Sequence, residues 1–242
     1  MSFLLVGLGP RPPGSIQLEA LEALKGADLV YLETYTNLGY SIKSFSEFLG
    51  RPVIPAPRTT VESDTLLAQA SLQTVALCVI GDIFTATTHS TIYLECMERN
   101  IPYRLFPNAG IMNTIALAGL ELYQYGETVS VPYPLESFVP TRYIDKIQAN
   151  HERGLHTLCL LDIKADEGRY MTIPEALNLI APHFDVRLAI GVARLMAPDM
   201  LIKAGTPFEL STTEWGLQPH ALIIPGKLNA VEEEFIARWK KV

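Results

Sequence analysis

Val79-Ile80-Gly81-Asp82-Ile83-Phe84-Thr85-Ala86-Thr87-Thr88-His89 is the stretch that decides the fold. An apolar run from Thr74 to Ile80 stops abruptly at Gly-Asp, and a helical pattern runs from Thr91 to Arg99. A strand that stops there puts a carboxylate at the carboxyl end of a buried strand, where open α/β sheets bind their ligands. Asp82 is therefore either a turn residue or a group that binds a ligand hydroxyl or amine. Thr85, Thr87 and Thr88 read as caps for the helix, and His89 reads first as a satisfied structural histidine.

Outward from this stretch, short apolar runs alternate with helical patterns. Phe3 to Val6, Leu29 to Leu32, Arg51 to Ile54 and Tyr103 to Phe106 read as strands. The helices between them carry Leu18, Leu21 and Leu24, with Ser15 as cap, then Ile42, Phe45, Phe48 and Leu49 ahead of Gly50, then residues 63–71. This alternation predicts a mainly parallel sheet covered on both faces. Pro107-Asn108-Ala109-Gly110-Ile111 marks the boundary between an N-terminal domain, 1–107, and a C-terminal domain, 108–242. A long apolar helix, Met112 to Leu122, opens the second domain. Strands at Thr128–Val131, His156–Leu161, Leu188–Ala193, Met200–Lys203 and His220–Ile224 then crowd together with fewer helices, so this half is expected to contain antiparallel pairs. A loop dense in proline and aromatics (Pro132, Tyr133, Pro134, Phe138, Pro140) precedes a helix over Arg142–Arg153. Thr172 with Glu175 forms a capping box, and Asn229 with Glu232 caps the last helix. Glu232-Glu233-Glu234 reads as a solvated face near that helix start.

The chain has 242 residues, a hydrophobic content of 48% and a net charge of −7. Those values fit a folded chain with a substantial core and argue against nucleic-acid partners, which favour a basic face. Three cysteines without a CxxC spacing fit a reduced, cytoplasmic setting. No apolar run is long enough to span a membrane. Gly7-Leu8-Gly9-Pro10 after the first strand invites a dinucleotide-binding reading, but Pro10, Pro12 and Pro13 remove the N–H donors that a pyrophosphate needs. The third glycine of that fingerprint also falls on Pro12. No metal-ligand spacing, nucleophile elbow or P-loop is present. The residues alone therefore point to a binding or group-transfer site, where positioning supplies the rate enhancement.

Several motifs, in order along nearly the whole chain, resemble one family. They are Val6-Gly7-Leu8-Gly9, Gly81-Asp82 with Ala86-Thr87-Thr88-His89, Asn108-Ala109, Gly119-Leu120, Tyr123 with Gly126, Tyr133-Pro134, Arg153-Gly154-Leu155-His156-Thr157-Leu158, Leu161-Asp162-Ile163-Lys164-Ala165, Tyr170-Met171-Thr172, and Pro219-His220 with Pro225-Gly226-Lys227-Leu228. The chain resembles the diphthine synthases, within the tetrapyrrole methylase superfamily, and its length resembles their archaeal branch. The resemblance implies two α/β domains with S-adenosylmethionine in the cleft between them, and a homodimer. It implies methyl transfer to the amine of a modified histidine on translation elongation factor 2, giving a trimethylammonium in the archaeal branch. The cofactor contacts it implies are Pro10, where the family usually has leucine; Asp82; Thr85, at an apolar family position; Gly110 and Ile111, where the family has Ser-Ile; Leu161; Leu195, within Ala193-Arg194-Leu195-Met196, where the family reads Ala-Arg-Ala-Gly; and His220. Ile83 stands where the family has proline. No general base and no metal are implied. The rival readings are a tetrapyrrole or precorrin methylase of the same superfamily, a non-catalytic binding module on this fold and, against the proline-blocked loop, a nicotinamide dehydrogenase.

Overall fold

A computed structural model of the chain describes residues 1–36, 40–134 and 140–241; Phe138 of the proline-aromatic loop lies outside them. The chain forms two compact units, Met1–Thr114 and Ile115–Val242. The first contains, in order, β1 (Ser2–Gly7), α1 (Leu18–Lys25), β2 (Leu29–Glu33), α2 (Ile42–Leu49), β3 (Ile54–Ala56), α3 (Arg58–Val61), α4 (Thr65–Ala70), β4 (Thr74–Val79), α5 (Ser90–Glu98), β5 (Tyr103–Phe106) and α6 (Ile111–Thr114). Its sheet has the order β3-β2-β4-β1-β5, and every pairing in it is parallel. Strand alternation sorts the side chains. Leu4 and Val6 face one way and pack with Leu24 and Phe45, while Phe3 and Leu5 face the other and pack with Leu66 and Ile92. Both faces are buried, which is why these strands read as continuous apolar runs.

The second unit contains β6 (Val129–Val131), α7 (Arg142–Glu152), β7 (Thr157–Leu161), β8 (Ile163–Lys164), β9 (Arg169–Tyr170), α8 (Ile173–Ile180), β10 (Ala189–Ala193), β11 (Leu201–Gly205), α9 (Pro207–Ser211), β12 (His220–Ile224) and α10 (Ala230–Trp239). Its sheet runs β11-β10-β12-β7-β6. Only β6–β7 is parallel, so the sheet is mixed. The expected capping boxes at Thr172–Glu175 and Asn229–Glu232 are both formed. A third, Thr206–Glu209, starts α9, an element the sequence reading passed over. The indole of Trp215 lies against Gly191, where a Cβ would stand 2.2 Å from the ring, and its Nε1 donates to the Leu210 carbonyl at 2.8 Å. The Trp239 Nε1 donates to the Ala118 carbonyl at 2.8 Å.

Some local expectations are corrected. The single helix over Met112–Leu122 is instead α6, a 3-10 turn over Ile115–Ala118 and another over Leu122–Gln124. Gly119, at φ +87, turns the chain where Phe235 leaves no room for a Cβ. Ser15 does not cap α1. Its hydroxyl donates to the Leu8 carbonyl at 2.7 Å and accepts from the Arg11 N–H at 3.0 Å, bracing the glycine loop instead. The third strand starts at Ile54, not Arg51, since the Arg51 guanidinium is used on the carbonyls of Leu24, Lys25 and Asp28.

Glu232 is not on a solvated face. It is 1% exposed, and its carboxylate accepts from the Glu121 N–H (3.0 Å), the Asn229 N–H (2.9 Å) and His156 Nε2 (3.1 Å). The His156 ring is fully buried, and its Nδ1 accepts from the Gly226 N–H at 2.9 Å. That bond makes Nδ1 the acceptor, so Nε2 carries the proton given to Glu232. The clasp ties the start of β7, the turn after β12, the start of α10 and the 119–126 segment together. Burial pushes the Glu232 carboxyl upward, and its hydrogen bonds outweigh this and hold it below the ordinary range.

Two predictions follow from these local geometries. Replacing Glu232 with alanine strands two N–H donors and the His156 proton, and should cost about 3 kcal/mol, read as a lower urea midpoint. Met196 sits at φ +70, a region that favours glycine. Met196→Gly should stabilise the chain by about 1 kcal/mol; an unchanged or lower midpoint would show that its side chain repays the strain.

Candidate cofactor site

Three loops meet at the carboxyl ends of the parallel strands of the first unit. The loop after β1 lies against the loop after β4 through paired hydrogen bonds: the Gly9 N–H donates to the Gly81 carbonyl (3.0 Å) and the Gly81 N–H to the Gly9 carbonyl (2.9 Å). Close approach explains the glycines here. A Cβ on Gly7 would stand 2.8 Å from the Gly81 carbonyl oxygen, and one on Gly110 would stand 3.2 Å from the Cβ atoms of Asp82 and Thr85. Asn108, after β5, completes the junction, with Nδ2 donating to the carbonyls of Gly7 and Ser15 at 2.9 Å each.

Asp82 is the hub of this junction. Its Oδ1 accepts from the Phe84 N–H (2.9 Å), the Thr85 N–H (3.0 Å) and the Thr85 hydroxyl (2.9 Å), and its Oδ2 accepts from the Asn108 N–H (3.0 Å). Burial pushes its carboxyl upward, but the four hydrogen bonds prevail and keep it below the usual carboxylate range. A carboxylate offers about four acceptor sites, so Asp82 has little left for a direct ligand bond. It can act by holding the backbone around Ile83 and Gly110 in place. The structure therefore brings Pro10, Asp82, Thr85, Gly110 and Ile111 to one sheet end.

The threonines do not cap α5, whose N-terminus has no side-chain cap bond. The Thr85 hydroxyl serves Asp82, and that of Thr87 lies 2.8 Å from His89 Nδ1. His89 is 2% exposed, and its Nε2 lies 3.2 Å from the Tyr35 hydroxyl. Burial pushes its pKa down to about 4, which keeps the ring neutral at pH 7. The structural reading of His89 therefore holds. Ala86 takes φ +56 in the same loop.

In the second unit, Leu161 ends β7, Ala193 ends β10 and His220 begins β12, with Ala193 paired to His220 and Leu160 to Ala221. Leu195 follows Ala193, flanked by Arg194 at φ +50 and Met196 at φ +70. Arg194 braces this turn, with Nε 2.8 Å from an Asp199 carboxylate oxygen and its guanidinium donating to the Gln218 carbonyl at 3.3 Å. Leu161, Leu195 and His220 thus lie at one end of this sheet. His220 is 7% exposed, and among the described residues neither ring nitrogen has a partner of good hydrogen-bond geometry. Its burial lowers its pKa, and the nearby Leu217 and Gly216 backbones offset this only in part. A buried imidazole takes partners for its nitrogens from the protein, from ordered water or from a ligand.

Sequence reasoning missed the His156–Glu232 clasp, whose partners lie 76 residues apart. Asp162, which follows Leu161, accepts from the Tyr133 N–H at 2.9 Å, and Lys164 pairs with Glu167 at 3.3 Å.

The family model for tetrapyrrole (corrin/porphyrin) methylases matches residues 2–210. The chain is 39% identical to the diphthine methyl ester synthase of Aspergillus fumigatus, over 92% of this chain and 88% of that one. It is 35% identical to the diphthine synthase of Methanocorpusculum labreanum, over 97% of each. A solved diphthine synthase superposes with a TM-score of 0.91 at 30% identity, covering 100% of this chain and 96% of that one. With a family model spanning most of its length and relatives matched nearly end to end, this chain belongs to the tetrapyrrole methylase family and is a methyltransferase of its diphthine synthase branch.

Proposed function

We propose that this methyltransferase takes its methyl groups from S-adenosylmethionine and places them on the modified histidine of translation elongation factor 2, in diphthamide synthesis. The observation that supports this reading most directly is the end-to-end likeness to diphthine synthases, matched by two glycine- and histidine-bearing sheet ends. The cofactor contacts we assign are Pro10, Thr85, Gly110 and Ile111 in the first unit, held in place by Asp82, and Leu161, Leu195 and His220 in the second. These residues fit such a group. The unpaired nitrogens of His220 offer a neutral donor and acceptor, and the glycine junction lets backbone approach closely. Ile111, Leu161 and Leu195 add apolar surface. The reading includes a homodimer acting in the cytoplasm, as in the archaeal branch.

The cofactor supplies an already activated methyl, so the chain needs no nucleophile. Its residues must hold a neutral amine in line with that methyl, within near-attack distance. Asp82 contributes by fixing the loop backbone. An apolar lining favours a transfer in which the sulfonium loses its charge. Each of the first two transfers leaves a protonated amine that must shed a proton to solvent before the next; the third leaves a quaternary ammonium with no proton to lose.

Relatives named diphthine methyl ester synthase support a second product. There, a carboxyl oxygen is methylated as well, and the ester is cleaved by mild base. Incubating the chain with S-adenosylmethionine and elongation factor 2 carrying aminocarboxypropyl-histidine should add methyls to that residue alone, as read by mass spectrometry. Three base-stable methyls indicate the trimethylammonium product, and a fourth, base-labile one the ester. Methylation of a tetrapyrrole instead would overturn the acceptor assignment, and absence of cofactor binding would favour a non-catalytic module. Asp82→Ala should weaken S-adenosylmethionine binding at least about tenfold by calorimetry, with the circular dichroism of the chain retained. Unchanged affinity would remove Asp82 from the site.

A further inference from the structure

The hairpin β8–β9 leaves the carboxyl end of β7 directly after Leu161 and Asp162. Its register sets Lys164 opposite Arg169. Like charges facing each other across an antiparallel pair destabilise it. The hairpin tolerates them because Glu167 bridges both, at 3.3 Å from the Lys164 ammonium and 3.3 Å from the Arg169 guanidinium. One carboxylate thus holds two cations, and the three side chains together keep a charge of +1. The Arg169 guanidinium also lies over the Tyr133 ring, 4.1 Å from its centroid. Tyr133 is in turn fixed by its N–H bond to Asp162. Stacking of this kind pre-orients the planar fork that matches a carboxylate. Among the described residues, Glu167 is the only ionic partner of Arg169, which leaves most of its five donors open. Lys164 and Arg169 stay partly exposed, so a solute can reach them.

We propose that Lys164 and Arg169 form a carboxylate-binding site that takes the carboxylate of the acceptor side chain, with Glu167 as an internal carboxylate that the acceptor displaces. This inference rests on the acceptor reading above. In an aminocarboxypropyl group the carboxylate and the amine share one carbon, so gripping the first orients the second for transfer. A site with positive charge does not suit the sulfonium of the cofactor. The cofactor carries a carboxylate of its own, however, and is the rival occupant.

The test uses the full chain and three variants, R169Q, R169K and E167Q. For each, the acceptor KM is measured with elongation factor 2 carrying aminocarboxypropyl-histidine, and the S-adenosylmethionine Kd by calorimetry. R169Q should raise the acceptor KM about tenfold or more while the cofactor Kd stays within about twofold, and R169K should recover part of the loss. E167Q removes the competing carboxylate and should lower the acceptor KM, an effect in the opposite direction that a purely structural ion triad would not produce. E167Q alone decides the matter if R169Q does not fold. An acceptor KM that E167Q leaves unmoved or raises overturns the proposal. So does a cofactor Kd that weakens with R169Q as much as the acceptor KM rises, which would hand the site to the cofactor. An unmodified chain that methylates no elongation factor overturns the acceptor reading itself, whereas an active one with unmoved KM values overturns only the carboxylate site.

Discussion

Saturation of one carboxylate governs the first unit. Asp82 spends its oxygens on four donors drawn from its own loop and from the start of the next, at Asn108. The ends of β4 and β5 are thereby fixed to each other, and the Asn108 amide and the Gly9–Gly81 pair add the end of β1. The glycines are the steric counterpart: a Cβ at Gly7 would meet the Gly81 carbonyl, one at Gly110 would crowd the Asp82 and Thr85 side chains, and Gly9 and Gly81 take positive φ. A site built from backbone in this way tolerates changed side chains at its edge. Ile83 is fully buried beneath the junction, and Gly110 anchors α6 through its carbonyl, which accepts from the Thr114 hydroxyl.

The second unit solves the same problem with a neutral–charged pair. His156 and Glu232 are both out of water, where an unpaired charge would be costly. The Gly226 N–H sets the tautomer, the tautomer sets the donor, and two further N–H groups complete the carboxylate's partners. Every polar group in the clasp is satisfied. The contrast with His220 is informative. At the start of β12 and slightly more exposed, that ring has no partner of good hydrogen-bond geometry among the described residues.

How much of this was legible in the sequence follows the range of the interactions. Period and punctuation are local, so β4, β12, the capping boxes and the parallel-then-mixed change of sheet character could be read directly. Asp82 was found because a strand ending in Gly-Asp is a local signal, but its saturation was not, since Asn108 lies far along the chain. Ser15 and the threonines were misread as caps because a hydroxyl near a helix start has a local default that tertiary partners displaced. Glu232 was placed on the surface with Glu233 and Glu234, and only contacts from His156 and Glu121 bury it. The Met112–Leu122 run failed as a helix because its apolar residues carry no single face and Gly119 turns it under Phe235. Family likeness supplied Leu161, Leu195 and His220, which no pattern in the residues alone would have joined.

The two indoles have a consequence for spectroscopy. Trp215 and Trp239 are the only tryptophans in the chain, and both belong to the second unit, each with its Nε1–H bonded to a backbone carbonyl. Emission excited at the red edge of the indole band therefore watches residues 115–242 alone. The first unit has no tryptophan and carries tyrosines, among them the edge-to-face pair Tyr93 and Tyr103 with ring centroids 5.0 Å apart. Tyrosines are spread over both units, so the indole signal alone singles one out: its change on heating reports the second unit, and circular dichroism reports the whole chain.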